Sequence, residues 1–265
     1  MLRPFYLSKG DGSRRFCLLH GNVPEARACL LYIHPFAEEM NKTRRMVALQ
    51  SRAFAEMNLA VLQIDLLGCG DSDGDFGDAT WDDWIGDLDA AKAYWHSLSG
   101  APLLLWALRA GCLLASECEK RWGDVPAQLW WQPPSSGRQV FTHWLRMRQT
   151  ADKIAGRVSR AHDLRADLLA KRPIDIAGYA CSPELLLPLE VAELHEPRDK
   201  LAWFEVSSEP AAHVLPASEA LLAGWAQKPE AACTIGGPKF WQTTEIEEAA
   251  ALIQASCDWV AGVGS

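Results

Sequence analysis

The stretch Leu103-Leu104-Leu105-Trp106-Ala107-Leu108-Arg109-Ala110-Gly111-Cys112 decides the fold. It opens with an apolar run, Leu103–Trp106, that suits a short buried strand. A tight turn follows, flanked by small residues at Ala107 and Gly111, and from Gly111 to Trp122 the spacing predicts a helix. Arg109 stands in the middle of the turn. A guanidinium stays protonated at any working pH, offers donors and has no lone pair to attack with.

Strands and helices alternate on both sides of this segment. Phe5–Ser8 and Arg15–His20 flank Lys9-Gly10-Asp11-Gly12 as a hairpin. Ala28–His34 and Leu59–Asp65 are apolar runs of buried strands, separated by a predicted helix over Thr43–Met57. Thr80 and Asp83 form a capping pair for a helix over Thr80–Leu98. A strand over Ala127–Trp131 comes next. After Gln132-Pro133-Pro134-Ser135-Ser136-Gly137 the alternation lapses into a largely helical stretch. It contains helices over Arg138–Ala155, Ala161–Ala170 and Pro183–Leu194, with a strand over Ile174–Tyr179. The alternation resumes with strands Leu201–Val206 and Ala231–Ile235 and helices Ala217–Gln227 and Thr244–Val260. Such a pattern predicts an α/β protein, a mostly parallel central sheet with helices on both faces. Residues 1–133 and 201–265 supply the core and residues 134–200 a helical cap insertion.

At 265 residues the chain is long enough for one such domain with an insertion. Its net charge of −8 argues against a nucleic-acid partner and for a soluble cytoplasmic protein. No apolar run is long enough to span a membrane, and no apolar segment follows Met1–Phe5 as a signal peptide would need. The eight cysteines are scattered and form no CxxC pair, so reduced thiols are expected rather than a metal site, and no cofactor is expected. The twelve tryptophans exceed what a core of this size needs, although any one of them is best read as core. Between Pro134 and Arg172 nine basic residues face three acids, inside an acidic chain. A basic cap of this kind is either a solvated face or an attractant for an anionic ligand or partner.

These features resemble the α/β-hydrolase superfamily along essentially the whole chain. The loop Asp65-Leu66-Leu67-Gly68-Cys69-Gly70-Asp71-Ser72 is similar to that superfamily's D-x-x-G-x-G-x-S turn, and His34-Pro35 stands where many members have His-Gly. A narrower resemblance is to the second hydrolase associated with the exosortase A system. It is carried by Pro35–Lys42, Ala79-Thr80-Trp81, Leu105–Arg109 and Phe240-Trp241-Gln242-Thr243. This resemblance implies a setting of protein sorting and exopolysaccharide production, and no known reaction. The superfamily turn reads G-x-S-x-G and presents a nucleophilic serine; here Arg109 occupies the serine position.

Ser-His-acid chemistry needs a nucleophile, a base beside it and an acid that orients the base. The loop after the last strand, Gly236–Trp241, holds no histidine. Glu209 fills the acid position but has no imidazole to orient. Cys112 is expected to be a buried, inert helix thiol. His34 is either an acid–base group or a structural histidine, and His213, His162 and Ser182 complete no constellation. Arg109, the free N–H groups from Ala110 onward and the Phe36 N–H together make an electropositive niche suited to a carboxylate, phosphate or sulfate. Glu38 and Glu39 lie on the adjacent loop, where one of them pairs with Arg109 and plugs the pocket or serves as a base. Two functions follow. One is an acyl hydrolase, acting on an ester or thioester without a serine, with water activated by Glu38, Glu39 or His34. The other is a non-catalytic protein that binds a small anionic or acyl ligand, or a protein partner, through Arg109 and the cap.

Overall fold

A computed structural model describes residues 1–157, 159–243 and 245–263. Eight strands form one sheet: β1 (Leu2–Ser8), β2 (Arg14–His20), β3 (Cys29–Ile33), β4 (Ala60–Ile64), β5 (Leu103–Leu108), β6 (Ala127–Trp131), β9 (Lys200–Ser207) and β10 (Ala231–Gly236). Their spatial order is β1-β2-β4-β3-β5-β6-β9-β10. β2 runs antiparallel to β1 and β4, and every pairing from β4 to β10 is parallel. β5, which carries the decisive stretch, lies centrally between β3 and β6.

Alternate residues of each strand feed two separate cores. Leu103, Leu105 and Ala107 point to one, and Leu104, Trp106 and Leu108 to the other. Helices α2 (Trp81–Leu98) and α3 (Gly111–Trp122) cover the first face; α1 (Glu38–Glu56) and α8 (Ala250–Val263) cover the second. Ten of the twelve tryptophans are buried, and those at 84, 95, 106, 130, 131 and 203 almost wholly so, which makes most of them core.

Between β6 and β9 the chain leaves the sheet. It forms α4 (Gly137–Ile154), α5 (Ala161–Leu169), a small hairpin of β7 (Ile174–Ile176) and β8 (Tyr179–Cys181), and α6 (Pro183–Val191). The expected single strand over Ile174–Tyr179 is therefore two. Ala177 and Gly178 both adopt positive φ, 53° and 85°, which turns the chain back on itself in two residues. α7 (Pro216–Ala223) is shorter than expected because the Lys228 ammonium binds the carbonyls of Leu222, Ala223 and Trp225 and caps the helix there.

β1 begins earlier, at Leu2, α6 ends earlier, at Val191, and two helix starts differ by several residues. α1 begins at Glu38 rather than Thr43, so Glu38 and Glu39 belong to a first helical turn and not to a loop. The helix dipole favours acids there, but the N-cap, Ala37, has no capping side chain to signal the start. The last helix starts at Ala250; its expected first residue, Thr244, lies outside the described residues. Ahead of it the Thr243 hydroxyl donates to the Glu245 carbonyl, which a helix would have used, at 2.8 Å.

The N-terminus of α3 is pressed against the end of β3. A Cβ on Gly111 would stand 2.5 Å from the Ile33 carbonyl oxygen and 2.7 Å from that of His34. Gly111→Ala is therefore expected to lower stability by about 1–3 kcal/mol, the usual consequence of overpacking. A fall in the urea midpoint with an unchanged slope would show it; an unchanged midpoint would contradict the close approach.

Candidate functional site

Arg109 occupies the turn between β5 and α3 with φ of 55°. A left-handed backbone is uncommon for a residue with a Cβ and is kept only where surrounding structure enforces it. Here the Arg109 N–H donates to the Trp131 carbonyl of the neighbouring strand at 2.9 Å, and Gly111 lets the helix begin at once. The side chain is thereby delivered to the carboxyl ends of the parallel strands, where sheets of this kind form their crevices.

Glu39 meets it from the first turn of α1. Nε lies 3.3 and 3.4 Å from the two carboxylate oxygens and Nη2 lies 3.1 Å from Oε1. The pair is three-quarters buried, with the Arg109 and Glu39 side chains 22% and 23% exposed. The Arg109 Cζ stands 5.5 Å from the centre of the Trp241 ring, within range of a cation–π contact. Trp241 belongs to the loop after β10, where the resemblance placed a triad histidine, and it is buried. Glu39 occupies the Nε–Nη2 edge of the guanidinium. Among the described residues Nη1 has no hydrogen-bond partner, so donors remain on the other edge.

That pair does not close the space around it. A cavity of about 470 Å³ is lined by Arg109, Glu39, Phe36 and Ala110 from the sheet side and by Arg138, His143 and Arg146 from α4. A second, of about 290 Å³, shares Phe36, Glu39, His143, Trp144 and Gln242 with the first. It continues past Met147, Ile176, Tyr179 and Trp241. Among the described residues the backbone N–H groups of Phe36 and Ala110 find no acceptor in the protein, and both residues line the larger cavity.

The remaining candidates are scattered. Glu38 is half-exposed and pairs with Lys42 at 3.2 Å, one helical turn away. Glu209 lies exposed beyond β9, where its N–H donates to the Ser207 hydroxyl, and it lines neither cavity. The buried acid of β9 is Glu205, which accepts from the Trp203 indole, the Leu215 N–H and the Ser218 hydroxyl. His34 is buried, and the Leu66 N–H donates to its Nε2 at 3.3 Å. Nε2 therefore carries the lone pair and Nδ1 the proton, which it donates to the Pro35 carbonyl at 2.7 Å. Burial lowers the His34 pKa, with the Asp65 carboxylate opposing. Cys112 is wholly buried and its thiol is pushed well up by desolvation. His162 and His213 are exposed, and Ser182 caps α6 while donating to the Ala79 carbonyl.

Arg138, His143, Arg146, Trp144 and Trp241 were not singled out from the sequence. The basic excess of the insertion was visible, but which of its members face the sheet was not. Several are neutralised within the insertion: Arg148 and Arg157 by Asp152, Arg165 by Glu190, Arg172 by Asp167 and Lys171 by Glu184. Among the described residues Arg138 and Arg146 have no ion-pair partner, and no group of three His, Cys, Asp or Glu side chains suits a metal ion. No described helix is long and apolar enough to cross a membrane.

Solved structures align with the chain end to end. Est1E from Butyrivibrio proteoclasticus, with ferulic acid bound, has a TM-score of 0.72 at 16% identity over 97% of this chain and 98% of that one. The chain has the α/β-hydrolase fold. The esterase domain of a Rhodothermus marinus protein gives 0.64 at 16% identity with both chains fully covered. A thermophilic esterase from Thermogutta terrifontis, with malate bound, gives 0.59 at 14% over 99% and 100%. No family model matches the chain and no curated protein does.

A double-mutant cycle with Glu39→Gln and Arg109→Met should give a coupling of about 1–2 kcal/mol, above that of exposed pairs because this one is sheltered. Zero coupling in denaturant unfolding would dissolve the pair. His34 is expected to stay neutral, with its proton on Nδ1, down to a pH below the ordinary imidazole range. As pH falls through that range, the unfolded chain binds a proton that the native ring refuses, so His34 draws stability down with acidification. Ring nitrogen shifts in NMR would decide, and a native His34 titrating near its ordinary value would refute the assignment.

Proposed function

We propose that this protein binds an anionic ligand in the cavity beside Arg109 and does not carry out serine-type acyl transfer. The observation that carries this reading is the guanidinium at the turn where the fold's hydrolases present a hydroxyl. It is held by Glu39 on one edge and by Trp241 in the place of the base. Without a hydroxyl at the turn or a histidine in the loop after β10, the serine-type route lacks its attacking group and the base that would activate it. What the site retains is suited to binding. Arg109 keeps free donors, Arg138 and Arg146 add charge from the cap, residues 134–200, and the Phe36 and Ala110 N–H groups add neutral donors. Ferulic acid and malate, bound in two of the similar structures, are both carboxylic acids, which supports that ligand class.

A second reading has one observation in its favour. Unpartnered N–H groups at Phe36 and Ala110 are what an oxyanion site for ester or thioester hydrolysis would need. Water would then be activated by Glu39. Both oxygens of that carboxylate are already engaged by the Arg109 guanidinium, which counts against this route. The resemblance to the exosortase-associated hydrolase supports a place beside protein sorting or exopolysaccharide production under either reading.

Against p-nitrophenyl esters and acyl thioesters the native protein should show no turnover above buffer, and Arg109→Ser should show none either, because the loop after β10 brings no histidine to the new hydroxyl. Saturating acetate or benzoate should raise the native melting temperature by a few degrees; a hundredfold excess over Kd stabilises by about 2.7 kcal/mol. Arg109→Ala should abolish the shift. Turnover by the native protein that Glu39→Gln removes would establish the hydrolase instead.

A further inference from the structure

We infer that the ligand is an anionic amphiphile: a carboxylate or comparable acidic head carrying an unbranched or aryl apolar tail. This rests on the anion-binding reading above and adds what the second cavity contributes.

The two cavities meet along a shared wall of Phe36, Glu39, His143, Trp144 and Gln242 and differ sharply in what each adds beyond it. The larger adds three cations, Arg109, Arg138 and Arg146, and the Ser136 and Thr142 hydroxyls, set among Ala110, Pro134, Gln139 and Val140. The smaller adds Met147, Ile176, Tyr179, Cys181 and Trp241; its only additional charges are Glu38 and Lys42, which pair with each other. Arg109 faces only the larger cavity and Trp241 only the smaller. Their cation–π contact is therefore a partition with a charged side and an apolar side. Phe36 and Trp144 extend this boundary, packed edge to face at 6.0 Å.

A compact dianion or a neutral lipid fits half of such a site. A small inorganic anion leaves the apolar chamber filled with water against Met147 and Ile176. An uncharged chain makes no use of Arg138, Arg146 or the free edge of Arg109. An amphiphile satisfies both halves, with its head on the free edge of Arg109 and between the cap arginines and its tail beneath β7 and β8. Glu39 fixes the orientation. Its carboxylate stands on the shared wall, repels an acidic head from the junction and directs it toward the far side of Arg109.

The test is a calorimetric titration with straight-chain carboxylates from acetate to dodecanoate, with decanol as the uncharged control. Affinity should rise by roughly fourfold per methylene, the gain for a fully buried CH2, and level off when the tail fills the 290 Å³ chamber. Decanol should bind at least tenfold more weakly than decanoate. Arg138→Ala with Arg146→Ala, both at exposed positions, should weaken every carboxylate by a similar factor. Met147→Glu should weaken decanoate at least tenfold more than it weakens acetate. If acetate binds through Arg109 but affinity is flat with chain length, the amphiphile is overturned and the anion-binding reading stands. If decanol binds as well as decanoate, the head assignment is wrong. If no carboxylate of any length binds, both inferences fall together.

Discussion

One cation organises this site. Arg109 is held at positive φ by the turn between the central strand and α3, and its charge has to be met there. A guanidinium so sheltered is tolerated only with a partner and with surfaces that do not repel it. Glu39 supplies the first and Trp241 the second. The start of α1 at Glu38, the placement of an indole after β10 and the open volume under α4 all fit that one requirement. Removing the guanidinium would leave a carboxylate facing an aromatic wall, so these residues are best understood as one unit.

The fold was legible because it is written in long apolar runs. β3, β4, β5 and β6 are buried on both faces, and such strands show as continuous hydrophobic stretches whatever surrounds them. Thr80 announced α2 because its hydroxyl accepts from the Asp83 N–H, a local device with a local signature. The starts of α1 and α8 were obscured for the opposite reason. Ala37 caps nothing with its side chain, and the chain ahead of Ala250 is held by contacts with distant residues, such as the Ala249 N–H on the Met46 sulfur.

The site was half legible. Position alone identified Arg109, and proximity in sequence to Phe36 identified Glu38 and Glu39, but the two glutamates were not separable. Helical geometry separates them: one hundred degrees of rotation sends Glu39 to the guanidinium and Glu38 to Lys42. Glu209 satisfied the order of elements yet ends in solvent, because Glu205 is the acid that β9 buries. Arg138 and Arg146 could not be told from their neighbours, since their distinction is that α4 turns them toward the cavity beside Arg109, a property of three-dimensional packing.

The indole beneath Arg109 is also the end of a chain of rings. Trp106 packs on Trp131 at 4.9 Å, Trp131 on Phe240 at 6.2 Å and Phe240 on Trp241 at 5.1 Å, from the centre of the sheet out to the cavity wall. Trp106 and Trp131 are close enough to exchange excitation, while Trp241, on the far side of Phe240, emits next to a positive charge. The colour and yield of the Trp241 share of the protein's ultraviolet emission thus respond to what fills the space around Arg109, an intrinsic optical gauge of the cavity.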